Sequence, residues 1–114
     1  MISIASFRKF ALSLPGVVEQ PHFEKTSFRI NKKILATLDI SKKKGVFKLT
    51  EEDQSLFCQH HPDVIYPVNG TWGKQGWTIV DLTKAKGEIV KTLLTISYEL
   101  VSFKKSTKSK PKKQ

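Results

Sequence analysis

The stretch from Ser27 to Leu49 constrains the fold most, because its apolar residues recur with a period of two. Ser27-Phe-Arg-Ile30 puts Phe28 and Ile30 on one face of an extended chain and Arg29 on the other. Ile34-Leu-Ala-Thr-Leu-Asp-Ile40 aligns Ile34, Ala36, Leu38 and Ile40, and Val46-Phe-Lys-Leu49 turns Phe47 and Leu49 inward. Asn31-Lys32-Lys33 and Ser41-Lys-Lys-Lys-Gly45 read as the turns between these runs. Three alternating runs joined by short loops imply an antiparallel meander with one buried face.

Helical segments flank the meander. Ser3 is placed as an N-cap before Ile4, Phe7, Phe10, Ala11 and Leu14, and Pro15-Gly16 ends that helix. Val17 to Gln20 can be extended, and Pro21 holds Gln20 in that geometry. Thr50-Glu-Glu-Asp53 resembles a capping box opening a second helix, which buries Leu56 and Phe57 and stops at Pro62. Val64 to Tyr66 and Trp77 to Leu82 read as two more strands around a long glycine-bearing loop, 67–76. Thr83 is expected to cap the last helix, whose buried stripe is Ile89, Val90, Leu93, Ile96, Ser97, Leu100 and Val101. The fold class is therefore α+β: an antiparallel sheet with three helices packed on it, in the order helix, meander, helix, two strands, helix.

With 114 residues, 39% apolar and 26% charged, the chain suits one globular domain. Its formal charge is +10, but Lys104, Lys105, Lys108, Lys110, Lys112 and Lys113 follow Phe103 with no acid among them. All ten acids precede Phe103, so the body without those six lysines carries only +4. The expected division is a domain over 1–103 and a disordered lysine-rich tail over 104–114. Cys58 is the single cysteine, which excludes an internal disulfide and fits a reducing compartment. No run approaches the ~18 apolar residues of a membrane span, and no signal-peptide pattern opens the chain. A cytoplasmic monomer that does not engage membrane is expected.

From Leu14 to Val101 the chain resembles the MmcQ/YjbR family of bacterial proteins. The residues that carry the resemblance are Leu14-Pro-Gly16, Pro21-His-Phe-Glu-Lys25, Ser27-Phe-Arg29 and Lys33-Ile-Leu-Ala36. Further along they are Tyr66-Pro67, Trp72-Gly-Lys-Gln-Gly-Trp-Thr78, Val80-Asp-Leu82 and Ser97-Tyr-Glu-Leu-Val101. The resemblance implies a fold similar to the frataxin-like CyaY proteins, with two projecting hairpins described as a double-wing DNA-binding arrangement. It brings no catalytic residue set. An iron function does not follow from fold alone, and the first helix carries Arg8 and Lys9 where an acidic ridge would be needed.

Binding residues are expected in three loops, 31–33, 41–45 and 70–76. Lys32, Lys33, Lys42, Lys43 and Lys44 sit at hairpin tips, Arg29 and Lys48 project from the meander, and Lys74 lies between Trp72 and Trp77. Ammonium groups on protruding loops suit phosphate contacts, and an exposed tryptophan suits stacking on a base. The plainer account is that lysine at turns keeps sheet ends soluble and blocks edge pairing. Trp77, at a strand start, is expected in the core, while Trp72 either plugs the sheet end or faces a ligand. The leading expectation is a non-catalytic module binding nucleic acid, with DNA the expected polymer. The alternative is a small-ligand or protein-partner module with an aromatic cleft around Trp72, lined also by Tyr66, His22 and Arg29.

No enzymatic chemistry is expected. Cys58, His60 and His61 offer only a fragment of metal-ligand spacing, and a closed zinc site needs four ligands. Glu51, Glu52 and Asp53 suit a helix start, and Asp81 is read as a partner for Arg29 or a cap for the last helix. Neither a glycine-rich phosphate loop nor a nucleophile elbow is present. No metal or cofactor is expected.

Overall fold

The computed structural model describes residues 2–107, with side chains through Ser102. Helix α1 spans Ile4–Ser13, and the Ser3 Oγ accepts the Ser6 N–H at 3.0 Å, which satisfies one of its free first-turn donors. Four strands follow: β1 (Val18–His22), β2 (Lys25–Ile30), β3 (Lys33–Asp39) and β4 (Lys44–Lys48). Then come α2 (Glu51–His60), β5 (Ile65–Pro67), a one-turn α3 (Thr71–Lys74), β6 (Trp77–Asp81) and α4 (Gly87–Thr107). The strands form one sheet, antiparallel throughout, in the order β1-β2-β3-β4-β6-β5.

The α+β class and the antiparallel sheet agree with the sequence reading, and several details do not. The meander has four strands, because Val18–His22 pairs with β2 from Val18↔Arg29 to His22↔Lys25. The described residues form four helices, since the 67–76 loop winds one turn at Thr71–Lys74. The last helix starts at Gly87, and Thr83 instead donates its N–H and hydroxyl to Asp81. That helix continues to Thr107, four residues past the Phe103 at which the domain was expected to end. The expected disordered tail otherwise falls on residues 108–114, outside the described residues.

The expected alignment of Ile34 with Ala36 and Leu38 is broken by a bulge. Phe28 pairs with Ala36 and Arg29 with Ile34, so Leu35 is an extra residue on β3. Leu35 and Ala36 are both fully buried, Ile34 passes to the opposite face, and Ile40 is exposed beyond the strand.

The core lies on one side of the sheet. Phe28, Ala36, Leu38, Phe47, Val80 and Ile65 project toward the helices and are fully buried. The Phe7 ring of α1 lies 5.6 Å from the Phe28 ring and 5.9 Å from the Phe47 ring, both tilted. Val90, Leu93 and Leu94 of α4 complete this layer. Thr50 caps α2 by accepting the Asp53 N–H at 3.1 Å, yet α2 buries no residue fully and packs at the β5 margin. With α1 and α4 covering one side, alternation leaves Arg29, Ile34, Thr37, Val46, Lys48, Trp77 and Ile79 on the other.

Candidate nucleic-acid interface

That second face is a trough. A cavity of about 290 Å³ is bounded by His22 and Lys25 near one edge of the sheet and by Val68 and Trp72 near the other. Its floor is Ile34, Thr37, Val46 and Trp77. Residues from opposite edges bound one cavity, so the sheet curls toward its uncovered side. A second hollow shares Lys25, Thr37 and Val46 and continues to Asp39, Lys42 and Lys44. A third shares Ile34 and Trp77, continues to Arg29, Lys32, Lys33 and Lys48, and reaches round the end of the sheet to Val101 of α4. The three run along the strands from the 31–33 turn to the 40–43 turn. The seven residues of β3 set that length at roughly 23 Å.

Two glycines hold the tryptophan loop. Gly76 has φ +102, and a Cβ there would lie 1.9 Å from the Leu49 carbonyl oxygen. A Cβ on Gly73 would lie 1.8 Å from the Val68 carbonyl oxygen. Gln54 of α2 ties the loop down: its Nε2 donates to the Gly73 and Trp77 carbonyls at 2.9 and 3.2 Å and approaches the Thr78 hydroxyl at 3.1 Å. Trp77 is half-buried on the trough floor and not in the core as expected, because Trp77↔Lys48 pairing turns both residues outward. The Trp72 ring stands edge-on to it at 6.3 Å and is 61% exposed.

The basic residues are arranged around these rings. The Lys48 ammonium donates to the Gln75 carbonyl and lies 5.4 Å from the Trp77 ring centre. Lys44 lies 5.9 Å over the Tyr66 ring. The Arg29 Nε donates to the Ser27 hydroxyl at 2.8 Å, and Ser27 donates to the Gln20 carbonyl. Arg29 is thus braced from within β2, and Asp81, read from sequence as its partner, is engaged by Thr83. Lys32 and Lys33 stand exposed at one end of the trough, Lys42 and Lys43 at the other, and Lys74 is exposed on α3. The two predicted lysine tips therefore mark opposite ends of one surface.

Charge is segregated by this topology. Nine of the fourteen basic residues before Phe103 lie on this face or its loops, with only Glu24, Asp39 and Asp81 as acids beside them. The rest of the body carries five basic and seven acidic residues. Asp39 accepts from the Lys42 N–H and the Ser41 hydroxyl, and these bonds, with Lys25 and Lys42 nearby, hold its carboxyl below the ordinary value. Asp81 is lowered by the Thr83 hydroxyl and N–H and by Lys84 and Lys44, against a smaller opposing effect of burial.

Sequence reasoning missed Lys25 as a lining residue and assigned Trp77 to the core. Lys25 was legible, since it shares the parity of Ser27 and Arg29 on β2. Among the described residues, no three His, Cys, Asp or Glu side chains converge as a metal site would need. Burial raises the Cys58 thiol, which disfavours the thiolate that nucleophilic or ligand chemistry requires.

Fold and site define a small α+β domain that covers one face of its sheet with helices and leaves the other basic, aromatic and concave. Residues 12–100 match the YjbR family model, and the chain belongs to the YjbR family. Its structure is similar to the crystal structure of Deinococcus radiodurans protein DR2400, described as a DUF419-domain protein. That likeness has a TM-score of 0.83 and 27% identity, over 96% of this chain and 85% of the other. No curated protein matches the chain. No described helix is long and apolar enough to cross a membrane.

Proposed function

We propose that this protein is a non-catalytic nucleic-acid-binding module, with DNA as the expected polymer, and that the uncovered sheet face is its binding surface. One observation carries the reading: the basic residues are gathered onto the same face that exposes Trp72. A strand in the trough meets ammonium and guanidinium groups along its phosphates and an indole face for a base, the two elements of a single-strand surface. Arg29, Lys25, Lys44 and Lys48 flank the rings, Lys32, Lys33, Lys42 and Lys43 mark the ends, and Lys74 borders Trp72. We read the basic turns as the two ends of one site, in place of a pair of wings that grip together.

The test uses the full chain with the six tail lysines changed to serine, so that the tail cannot supply the affinity. Fluorescence-anisotropy titration with a single-stranded oligonucleotide at low salt should show binding. Trp72→Ala should lower the affinity by about 1–3 kcal/mol, and changing Lys42, Lys43 and Lys44 to serine should reduce both affinity and its salt dependence. Absence of binding by the tail-neutralised chain would remove the reading.

The cavity itself favours a second reading. At about 290 Å³, with Ile34, Val46, Val68 and two tryptophans around it, it is near the lower bound for a small-ligand pocket. Saturable binding of a small aromatic molecule, unaffected by oligonucleotide, would select it.

A further inference from the structure

Phe23 is 94% exposed and sits at φ +60 in the turn between β1 and β2. Both features work against stability. A bulky side chain is rare in the left-handed region, where glycine or asparagine is at ease. The ring also gains almost nothing from the body of the protein. Among the described residues its one aromatic contact is with His22, edge-on at 5.0 Å, and His22 lines the 290 Å³ cavity. β2 begins where β3 ends, so Phe23 stands at the 40–43 end of the trough and at its β1 edge, across the cavity that His22 shares with Trp72 near the other edge. Lys25 lies two residues from Phe23, and Lys42 and Lys43 occupy the neighbouring turn at this end.

We infer that Phe23 is a second base-stacking residue, at the opposite edge of the sheet from Trp72, and that the ligand is a single strand that crosses the trough and reaches both. This rests on the nucleic-acid reading and deepens it. Lys25, Lys42, Lys43 and Lys44 outnumber Glu24, Asp39 and Asp81 by only one at this end, so the exposed ring, which needs a flat apolar partner, carries the assignment and the rest of the face supplies the charge. A strand with unpaired bases offers that partner together with its phosphates, whereas a duplex keeps its base faces stacked on one another.

The experiment compares wild type, Phe23→Gly, Phe23→Tyr and Trp72→Ala in the full chain with the tail lysines changed to serine. Each is titrated with a thymidine strand of about twelve nucleotides and with one of about three, within the site sizes of such surfaces. Urea denaturation is followed in parallel. Phe23→Gly should weaken binding of the longer strand about ten-fold, leave the short strand unchanged, and keep or raise the denaturation midpoint. Phe23→Tyr should retain wild-type affinity. Equal affinity of Phe23→Gly and wild type for the longer strand would overturn the inference, and a loss of Trp72→Ala binding alongside would leave the broader reading standing. A fall in stability that tracks the fall in affinity would also overturn it, by making Phe23 structural. Failure of wild type to bind either strand would overturn both.

Discussion

At the scale of single residues, the chain spends conformational strain where the site needs shape. Gly76 combines φ +102 with a Cβ position 1.9 Å from the Leu49 carbonyl oxygen, so Gly76→Ala meets a backbone penalty and a clash together. We expect a loss of at least about 1–3 kcal/mol in urea denaturation, the range for a strained backbone position alone. The lowered carboxyls of Asp39 and Asp81 make a pH prediction. Each has a folded value below the ordinary 3.8, so its contribution is complete above that value and disappears as pH falls through the folded value. The stability advantage of wild type over Asp39→Asn should therefore be present at neutral pH and vanish in acid, as read by denaturation at each pH. Asp39→Asn should also bind oligonucleotide about two- to five-fold more tightly near neutrality, because it removes an acid from among Lys25, Lys42 and Lys44.

At the scale of elements, the Trp72 loop depends on α2 across the edge of the sheet. Gln54 has two amide hydrogens facing three acceptors, on Gly73, Trp77 and Thr78. Gln54→Ala should cost about 0.5–1.5 kcal/mol per hydrogen bond lost, since the Gly73 and Trp77 carbonyls keep the Gly76 and Val68 N–H groups. Tryptophan emission should shift as the loop loosens, even in native buffer. The bulge at Leu35 shows how one residue re-aims a strand. Without it, Ile34 would share the parity of Ala36 and be lost from the trough floor.

At the scale of the whole molecule, helices cover one face of the sheet and most of the body's basic residues lie on the other. Phe7, Phe28 and Phe47 join the first helix to the sheet centre. Phe47→Ala should cost about 3–5 kcal/mol by calorimetry or denaturant. The trough-facing Lys42, by contrast, is exposed, and its removal should change stability little while reducing the salt slope of binding by roughly 0.7. The six lysines after Phe103 add charge, so their neutralisation should flatten the salt dependence and leave the effect of Trp72→Ala intact.

The sequence by itself determined the α+β class, the antiparallel meander, the Ser3 and Thr50 caps and most of the core. These follow from periodicity and local hydrogen bonding, which a chain carries with it. It also placed Arg29 and Lys48 opposite the core, since alternation fixes which side of a strand a residue faces, and set Lys44 and Trp72 in the connecting loops. Only the tertiary structure decided that Leu35 forms a bulge, that Thr83 serves Asp81 instead of a helix, and that Trp77 floors a trough. Each of these depends on pairing between segments distant in sequence. The curl that brings His22 and Trp72 around one cavity is likewise a property of the whole sheet. So is the gathering of charge onto one face: a body of only +4 becomes a basic surface because the fold sends most of its acids elsewhere.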